Sequence, residues 1–375
     1  MSSLGGLMSE WRTATLDQVL KLQRGHDLPT GQRRSGKVPV VGAAGPSGLH
    51  DTAIGKAPGV VVGRAGASMG HATYCDVDFW PLNTSLYVTD FMGNEPRFVY
   101  YLLHLIDFSG YNSGAAQPML NRNYIKHIPI LLPPPREQRA IMAVIGVLDD
   151  KIAIDERIAA TAEGLVLALA SGERWQDRVP LEEICQLRKD QVSPREITEG
   201  LVDHYSLPAF DAANMPERVS PEVIKSGKFA VAESAVLLSK LNPEIPRAWN
   251  IAPDPRVPSL ASTEFLVLTP RGSVTTHELW AVTRQQPFLD DLAAKATGTS
   301  KSHQRVRPAE VMAAEVVDPR KFGETGAQIQ SLCRRAALAR QESKSLTALR
   351  DTLLPQLMSG RLRVKDAEKI VEDAT

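Results

Sequence analysis

Two stretches of this 375-residue chain carry the same apolar repeat, and that duplication restricts the folds open to it more than any other feature. In the first, Ile141, Ile145, Leu148, Ile152, Ala159, Ala162, Val166 and Leu169 follow in alternating steps of four and three, interrupted only by Asp155. In the second, Ile329, Leu332, Ala336, Ala339, Leu346 and Leu353 keep the same steps, with Ser343 and Arg350 as polar members. A constant offset of 184 residues carries Ile145, Leu148 and Leu169 onto Ile329, Leu332 and Leu353. Such a heptad seam marks a helix that buries one stripe along its length. Each helix would run roughly 34 residues, or about 50 Å. The simplest cover for each is the other copy, in two long antiparallel helices paired as a coiled coil. Ile145, Leu148, Ile152 and Leu169 would then face Ile329, Leu332, Leu346 and Leu353 across the seam. The alternative is that each helix packs alone on its own globular part.

Proline punctuates the start of both helices: Pro133-Pro134-Pro135 precedes the first and Asp318-Pro319 the second. Proline fixes the start of a helix and cannot continue it backwards. Between the helices the texture changes to short apolar runs broken by Gly and Pro. The chain is therefore expected to comprise a globular part over 1–134, a long helix over 135–174, a second globular part over 175–319, a second long helix over 320–362, and a tail over 363–375 without fixed structure. The globular parts read as mixed α/β. Pro58 to Gly63 and Ser85 to Thr89 look like strands, and Arg97 to Phe108 like a helix with Phe98, Tyr101, Leu102 and Leu105 on one face. The second copy repeats the order: Ala235 to Ser239 and Glu264 to Leu268 as strands, Thr276 to Leu292 as one helix.

Charge and cysteine usage narrow the function. The 43 basic and 43 acidic residues cancel, which argues against a stand-alone DNA binder. Locally the balance is different. Arg24, Arg33, Arg34 and Lys37 face only Asp27 within their run, and Lys295, Lys301, Arg305 and Arg307 face no acid. Such runs suit phosphates. Cys75, Cys185 and Cys333 are too far apart in sequence for a CxxC pair, which fits a reducing cytoplasm. No run is apolar enough for a membrane span, and Met1 to Glu10 lacks the pattern of a secretory signal.

Four segments carry a family likeness. They are Val38-Pro39-Val40-Val41-Gly42 after Arg24-Gly25; Val62 to Gly70 followed by Phe79-Trp80-Pro81-Leu82-Asn83-Thr84; Leu120-Asn121-Arg122 through Pro133-Pro134-Pro135-Arg136-Glu137-Gln138-Arg139-Ala140-Ile141; and Leu353 to Gly360. Together they resemble the specificity subunits of Type I restriction–modification enzymes. The second copy departs from the pattern: Leu237 to Pro243 replaces the Gly-rich loop, and Glu324-Thr325 stands where Glu137-Gln138 would. The resemblance implies two target-recognition domains reading double-stranded DNA, one per half of a bipartite target. It implies helices that dock two methyltransferase subunits, and beyond them two restriction–translocation subunits. It further implies that this chain is not catalytic and holds no cofactor, with S-adenosylmethionine, ATP and magnesium in the partner subunits. A scaffold of a related defence complex without restriction activity is the alternative.

Within that likeness, the loop Gly63 to Gly70 offers Arg64 and Ser68 and leads into His71. Its glycines would let backbone approach a ligand, and its arginine could take a phosphate or a guanine edge. Asn112 to Asn123 offers Gln117, Asn121 and Arg122; amides pair with adenine edges, though Asn in a loop also forms turns. In the second copy, Lys240, Lys301, Ser302, His303, Gln304 and Arg305 are the candidate DNA contacts, beside Arg24, Arg33, Arg34 and Lys37 in the first.

Enzymatic readings fare worse. Gly31 to Lys37 begins like a phosphate loop, but Val38 replaces the hydroxyl that would hold magnesium. The glycines at 63, 66 and 70 are not spaced as GxGxxG. No Asn/Asp-Pro-Pro-aromatic tetrad of an adenine methyltransferase occurs; Asn242-Pro243-Glu244 is the nearest. No His/Cys spacing suggests zinc, and His104 and His277 read as packing and surface residues. Asp149-Asp150 and Asp290-Asp291 are adjacent pairs whose side chains diverge on a helix, so they read as solvated positions.

Overall fold

The computed structural model describes residues 10–114, 117–172, 174–197, 200–298 and 304–375. It divides into two compact units: residues 1–154 with 343–375, and residues 155–342.

In unit 1, β1 (Arg12–Thr15) leads through the single turn α1 (Leu16–Val19) to β2 (Lys21–Arg24). There follow β3 (Val38–Gly42), β4 (Gly45–His50), β5 (Gly59–Gly63), β6 (Ala72–Cys75), β7 (Trp80–Pro81) and β8 (Ser85–Asp90). Then come α2 (Pro96–Leu105), the short α3 (Arg122–Ile125), β9 (Pro129–Leu132) and the long α4 (Pro135–Leu169). An antiparallel sheet of order β2-β8-β5-β6 forms the centre, β4-β3-β7 a second sheet, and β1-β9 a ribbon where the chain enters and leaves the lobe. β5 is buried throughout because its Val60, Val61 and Val62 are covered on both faces. Val60 and Val62 join the main core with Phe98, Val99 and Leu103 of α2, while Val61 packs with Val41, Phe79 and Tyr87. The buried face of α2 thus includes Val99 and Leu103, while Leu105, expected on that face, is 39% exposed. His104 also faces solvent and is not a packing residue.

Unit 2 repeats the frame. The strands and helices are β10 (Arg178–Pro180), α5 (Leu181–Ile184), β11 (Cys185–Arg188), β12 (Gln191–Val192), β13 (Val202–Tyr205), α6 (Leu207–Ala213), β14 (Glu217–Val219), β15 (Lys228–Ala230), β16 (Ala235–Ser239), β17 (Ala248–Ile251), β18 (Ser259–Ala261) and β19 (Phe265–Pro270). They continue as α7 (Thr276–Thr283), α8 (Gln286–Lys295), α9 (Pro308–Met312), β20 (Glu315–Val317) and the long α10 (Glu324–Met358). The sheet β11-β19-β16-β17 matches β2-β8-β5-β6, and the ribbon β10-β20 matches β1-β9. Leu181, Ile184 and Cys185 are buried as Leu16, Val19 and Leu20 are. What differs is the inserted sheet, β12-β15-β18-β13-β14 in unit 2. The expected single helix over 276–292 is two, because Pro287 falls where a continuing helix needs an N–H donor and opens α8 instead.

The heptad seam is buried as its periodicity requires. In unit 1, Ile141, Ile145, Leu148 and Ile152 of α4 share one core with Leu346, Leu353 and Leu357 of α10. In unit 2 the seam narrows to alanine: Ala159 and Ala162 pack with Ala336 and Ala339, and beyond them Val166 joins Ile329 and Cys333, with Leu169 and Leu332 partly buried against that cluster. Asp149 pairs with Arg350 at 3.2 Å in unit 1, and Glu163 with Arg340 at 2.5 Å in unit 2. Within unit 2, as position advances along α4 from Ala159 to Val166 its partners recede along α10 from Ala339 to Ile329, the sense of an antiparallel pair. Each helix also packs on its own lobe, so the two arrangements weighed from the sequence coexist. Asp149 is more than a solvated carboxylate, since it also accepts a 2.5 Å hydrogen bond from the Tyr101 hydroxyl.

The tail is a correction to the sequence reading. It forms α11 (Val364–Glu372), whose Ala367 and Val371 are buried in the core of unit 1. The Glu137-Gln138 motif also finds its reason. Glu137 accepts from the Trp11 indole at 2.8 Å, and the fully buried Gln138 accepts from the Glu95 N–H that opens α2 and donates to Asn94 Oδ1 and Pro133 O. In unit 2 the corresponding N–H, at Thr275, is capped by Glu278 from within α7. The second copy therefore has no need of the motif.

Leu148→Ala should destabilise unit 1 by about 2–5 kcal/mol, the range for a buried leucine truncation. Chemical denaturation of the full chain checks this against Val147→Ala, where the side chain is 49% exposed and a change within about 0.5 kcal/mol is expected.

Candidate nucleic-acid interface

Three of the arginines singled out from the sequence meet in unit 1. Arg24 at the end of β2, Arg64 just after β5 and Arg122 at the start of α3 line one open cleft of about 480 Å³ with Gln23, Ser113 and Asn121. No carboxylate is among the described residues that line it. Each arginine is placed by backbone geometry. Arg64 is locked by its own amide, which donates to Thr84 O at 2.9 Å, and by its carbonyl, which accepts from Leu120 at 2.7 Å. Among the described residues its guanidinium reaches only the Asn83 carbonyl at 3.4 Å and the Met119 sulfur at 3.5 Å, and both contacts are weak by length. Arg122 touches the Leu22 carbonyl at 3.4 Å. Burial lowers the pKa of Arg64, and the charge of Arg24 lowers it further. The first effect is the cost of desolvating a cation, and the second comes from holding two cations together. An incoming anion would relieve them.

Several other candidates of the first lobe have internal duties. Arg34 forms a two-point pair with Asp51 at 2.6 and 2.9 Å, which holds the Asp51 carboxyl down at about 2. Arg33 donates to the Ser47 carbonyl at 2.7 Å. Lys37 and His71 are exposed. Asn121 is a turn former as well as a cleft residue: its Oδ1 caps α3 by accepting from Asn123 N–H at 2.9 Å, which leaves its amide nitrogen as donor. Gln117 is exposed, with its amide near Gly66. The Gly-rich loop corrects the sequence reading. A Cβ at Gly63 would stand 2.0 Å from the Ser68 carbonyl oxygen and 2.6 Å from that of Ala43. The glycine admits the chain's own backbone, and Ser68 uses its carbonyl to hold the His71 N–H at 3.1 Å.

In unit 2, Lys301, Ser302 and His303 lie outside the described residues. Lys240 is half-buried just after β16. Gln304 is tied to Asn242 through backbone and side chain, at 2.8 and 3.2 Å. Arg305 grips Glu264 at 3.1 and 3.0 Å. The Arg305 hydrogen bond lowers the Glu264 pKa despite burial, and the charges of Arg305 and Lys240 add to that. Lys295, in the same basic run, is paired with Asp291 at 2.6 Å. His277 is half-buried, 2.6 Å from the Asn250 amide, and is therefore not a surface residue. Gln23 is a cleft residue that sequence reasoning missed; its place beside Arg24 at a strand end was the available signal.

Residues 8–163 match the family described as the Type I restriction modification DNA specificity domain. The fold of the chain is similar to that of the solved S subunit of a Type I restriction–modification system from M. genitalium, with a TM-score of 0.59 and 16% identity over 95% of this chain and 98% of that one. The solved HsdS subunit from Thermoanaerobacter tengcongensis is 17% identical over 95% of this chain and 98% of that one, at a TM-score of 0.35. No curated protein matches the chain. At 16% identity the likeness to the M. genitalium subunit is one of fold alone. No helix among the described residues is long and apolar enough to cross a membrane.

The three cysteines are all buried, and burial pushes each thiol up to about 12. At pH 8 only roughly one in ten thousand of such groups is thiolate. Native protein should therefore resist a thiol reagent at pH 8 and react at Cys75, Cys185 and Cys333 once denaturant is added. Fast labelling of the native chain would contradict the packing of these sites.

Proposed function

We propose that this chain is the DNA-reading specificity subunit of a Type I restriction–modification assembly, non-catalytic itself, with one half of a bipartite target read by each lobe. The observation that carries the reading is the cleft of Arg24, Arg64 and Arg122. It presents uncompensated positive charge and amide donors on a lobe that matches a DNA specificity domain. Phosphate contacts position a protein on a duplex, and arginine and amide side chains recognise base edges. The duplicated frame supports a second reading site of the same plan.

Partner subunits would bring the chemistry: methyltransferase subunits with S-adenosylmethionine, and restriction–translocation subunits with ATP and magnesium. Exposed apolar side chains on the long helices, Val147 and Ile154 in unit 1 and Leu165 and Leu338 in unit 2, offer surface for such partners. These side chains lie off the buried seam, so a partner could cover them without opening either core.

Co-expression with the neighbouring methyltransferase subunit, followed by sequencing of modified bases, should reveal a motif of two short specified halves around an unread spacer. Methylation without such a motif would refute the reading. For the purified complex, Arg24→Ala and Arg64→Ala should each flatten the slope of log affinity against log salt by about 1. Arg34→Ala should leave that slope unchanged, because its charge is already matched by Asp51.

A further inference from the structure

The two units repeat not only their strands but the positions of the cleft residues. β5 and β16 end at Gly63 and Ser239, and the residues that follow make the same backbone bonds. Arg64 donates to Thr84 O and accepts from Leu120 N–H; Lys240 donates to Glu264 O at 2.9 Å and accepts from Val306 N–H at 3.1 Å. Lys240 is thus the counterpart of Arg64, Glu264 of Thr84, and Arg305, preceding Val306, of Met119. Ser113 N–H donates to the Met119 carbonyl and Thr297 N–H to the Arg305 carbonyl, each at 2.9 Å, which confirms the match. Strand register extends it. Gly63 pairs with Ser85 and Ser239 with Phe265, while Leu22 pairs with Val88 and Leu187 with Leu268. Two residues further on in each copy stand Arg24 and Lys189.

Chemistry is retained at some of these positions and exchanged at others. Arg24 and Lys189 are both cationic, as are Arg64 and Lys240. Thr84 gives way to Glu264, and Met119 to Arg305. A DNA backbone presents the same phosphates at both halves of a target, whereas the bases of two unlike halves differ. We propose that Glu264 and Arg305 are the base-reading pair of the second lobe, and that Lys189 and Lys240 take phosphates there as Arg24 and Arg64 do in the first. The inference rests on the specificity-subunit reading above. The pair is pre-set for the task. Two hydrogen bonds, from Nε and Nη2 of Arg305 to the two carboxylate oxygens of Glu264, hold the pair in a two-point grip. Their side chains remain 50% and 30% exposed. An ionised carboxylate accepts from the cytosine amino group, and an arginine donates to the guanine O6 and N7 edge. A C·G pair in one half-site is the matching ligand.

The test uses the full chain co-expressed with its methyltransferase subunit and reads the methylated motif by sequencing. Glu264→Gln should keep methylation but relax one cytosine position, or move it toward adenine, within one half-site, with a loss of discrimination of roughly 10- to 100-fold. The other half-site should stay as it was. Lys189→Ala and Lys240→Ala should weaken modification at all sites without altering the motif. Glu264→Gln combined with Arg305→Gln, a neutral pair still able to hydrogen-bond, serves if the single variant does not fold. An unaltered motif in the Glu264 variants, or a motif change from Lys240→Ala, overturns this assignment alone. Absence of any bipartite motif with the wild-type chain would instead remove the reading on which it rests.

Discussion

A helix of 35 residues with an apolar stripe must have that stripe covered, because isolated helices draw little stability from their own hydrogen bonds in water. Here the cover changes character along the helices. In unit 1 it is Ile and Leu from both helices merged with the core of the lobe, so helix pairing and lobe packing are one hydrophobic event. In unit 2 it is alanine against alanine, where small side chains let two helices approach closely. The seam's polar members sit at the same interface. Asp149 holds both Arg350 and the Tyr101 hydroxyl, which ties α10 to α2 through α4. Burial raises the Tyr101 pKa, and the hydrogen bond to Asp149 raises it further. The phenol therefore stays a donor across the physiological range.

The helical half of this architecture was legible because its period is regular and its members are consecutive. Every member of the α4 series from Ile141 to Val166 is buried, and Asp155, which looked like an interruption, is fully buried too. The mixed strands were legible for the same reason: β16 begins and ends where its apolar run does. Helix α11 was overlooked although Val364, Ala367 and Val371 stand in steps of three and four. Dense charge at Lys365, Asp366, Glu368 and Lys369 masked a stripe that only the core of unit 1 makes meaningful.

The candidate site was legible as a set of residues and not as a place. Arg24, Arg64 and Arg122 lie far apart in the chain, and only strand order β2-β8-β5 with α3 beside it brings them together. Local composition points the wrong way: Arg34 and Arg305 belong to basic runs, whereas Arg64 and Arg122 stand alone in a Gly-rich loop and a polar segment. The distinction is made by distant carboxylates: Asp51 returns to Arg34 along the β3–β4 hairpin, and Glu264 reaches Arg305 from the turn into β19. Gly63 likewise looked like an approach to a ligand, and its real neighbour, Ser68, is five residues away through a turn whose closure sequence alone does not show.

Net neutrality and DNA reading are compatible for the same reason. Formal charge is summed over the chain, but a duplex meets only what is left after internal pairing. Arg34, Arg305, Arg340 and Arg350 each face a carboxylate of their own unit, so those charges cancel locally and add little to any external field. The cleft arginines share their cleft with no carboxylate among the described residues, and a cleft with low-dielectric walls concentrates the field of the charges inside it. On the specificity-subunit reading proposed above, general attraction to DNA would be weak, affinity would be concentrated where these few cations are placed, and discrimination between targets would pass to the groups beside them.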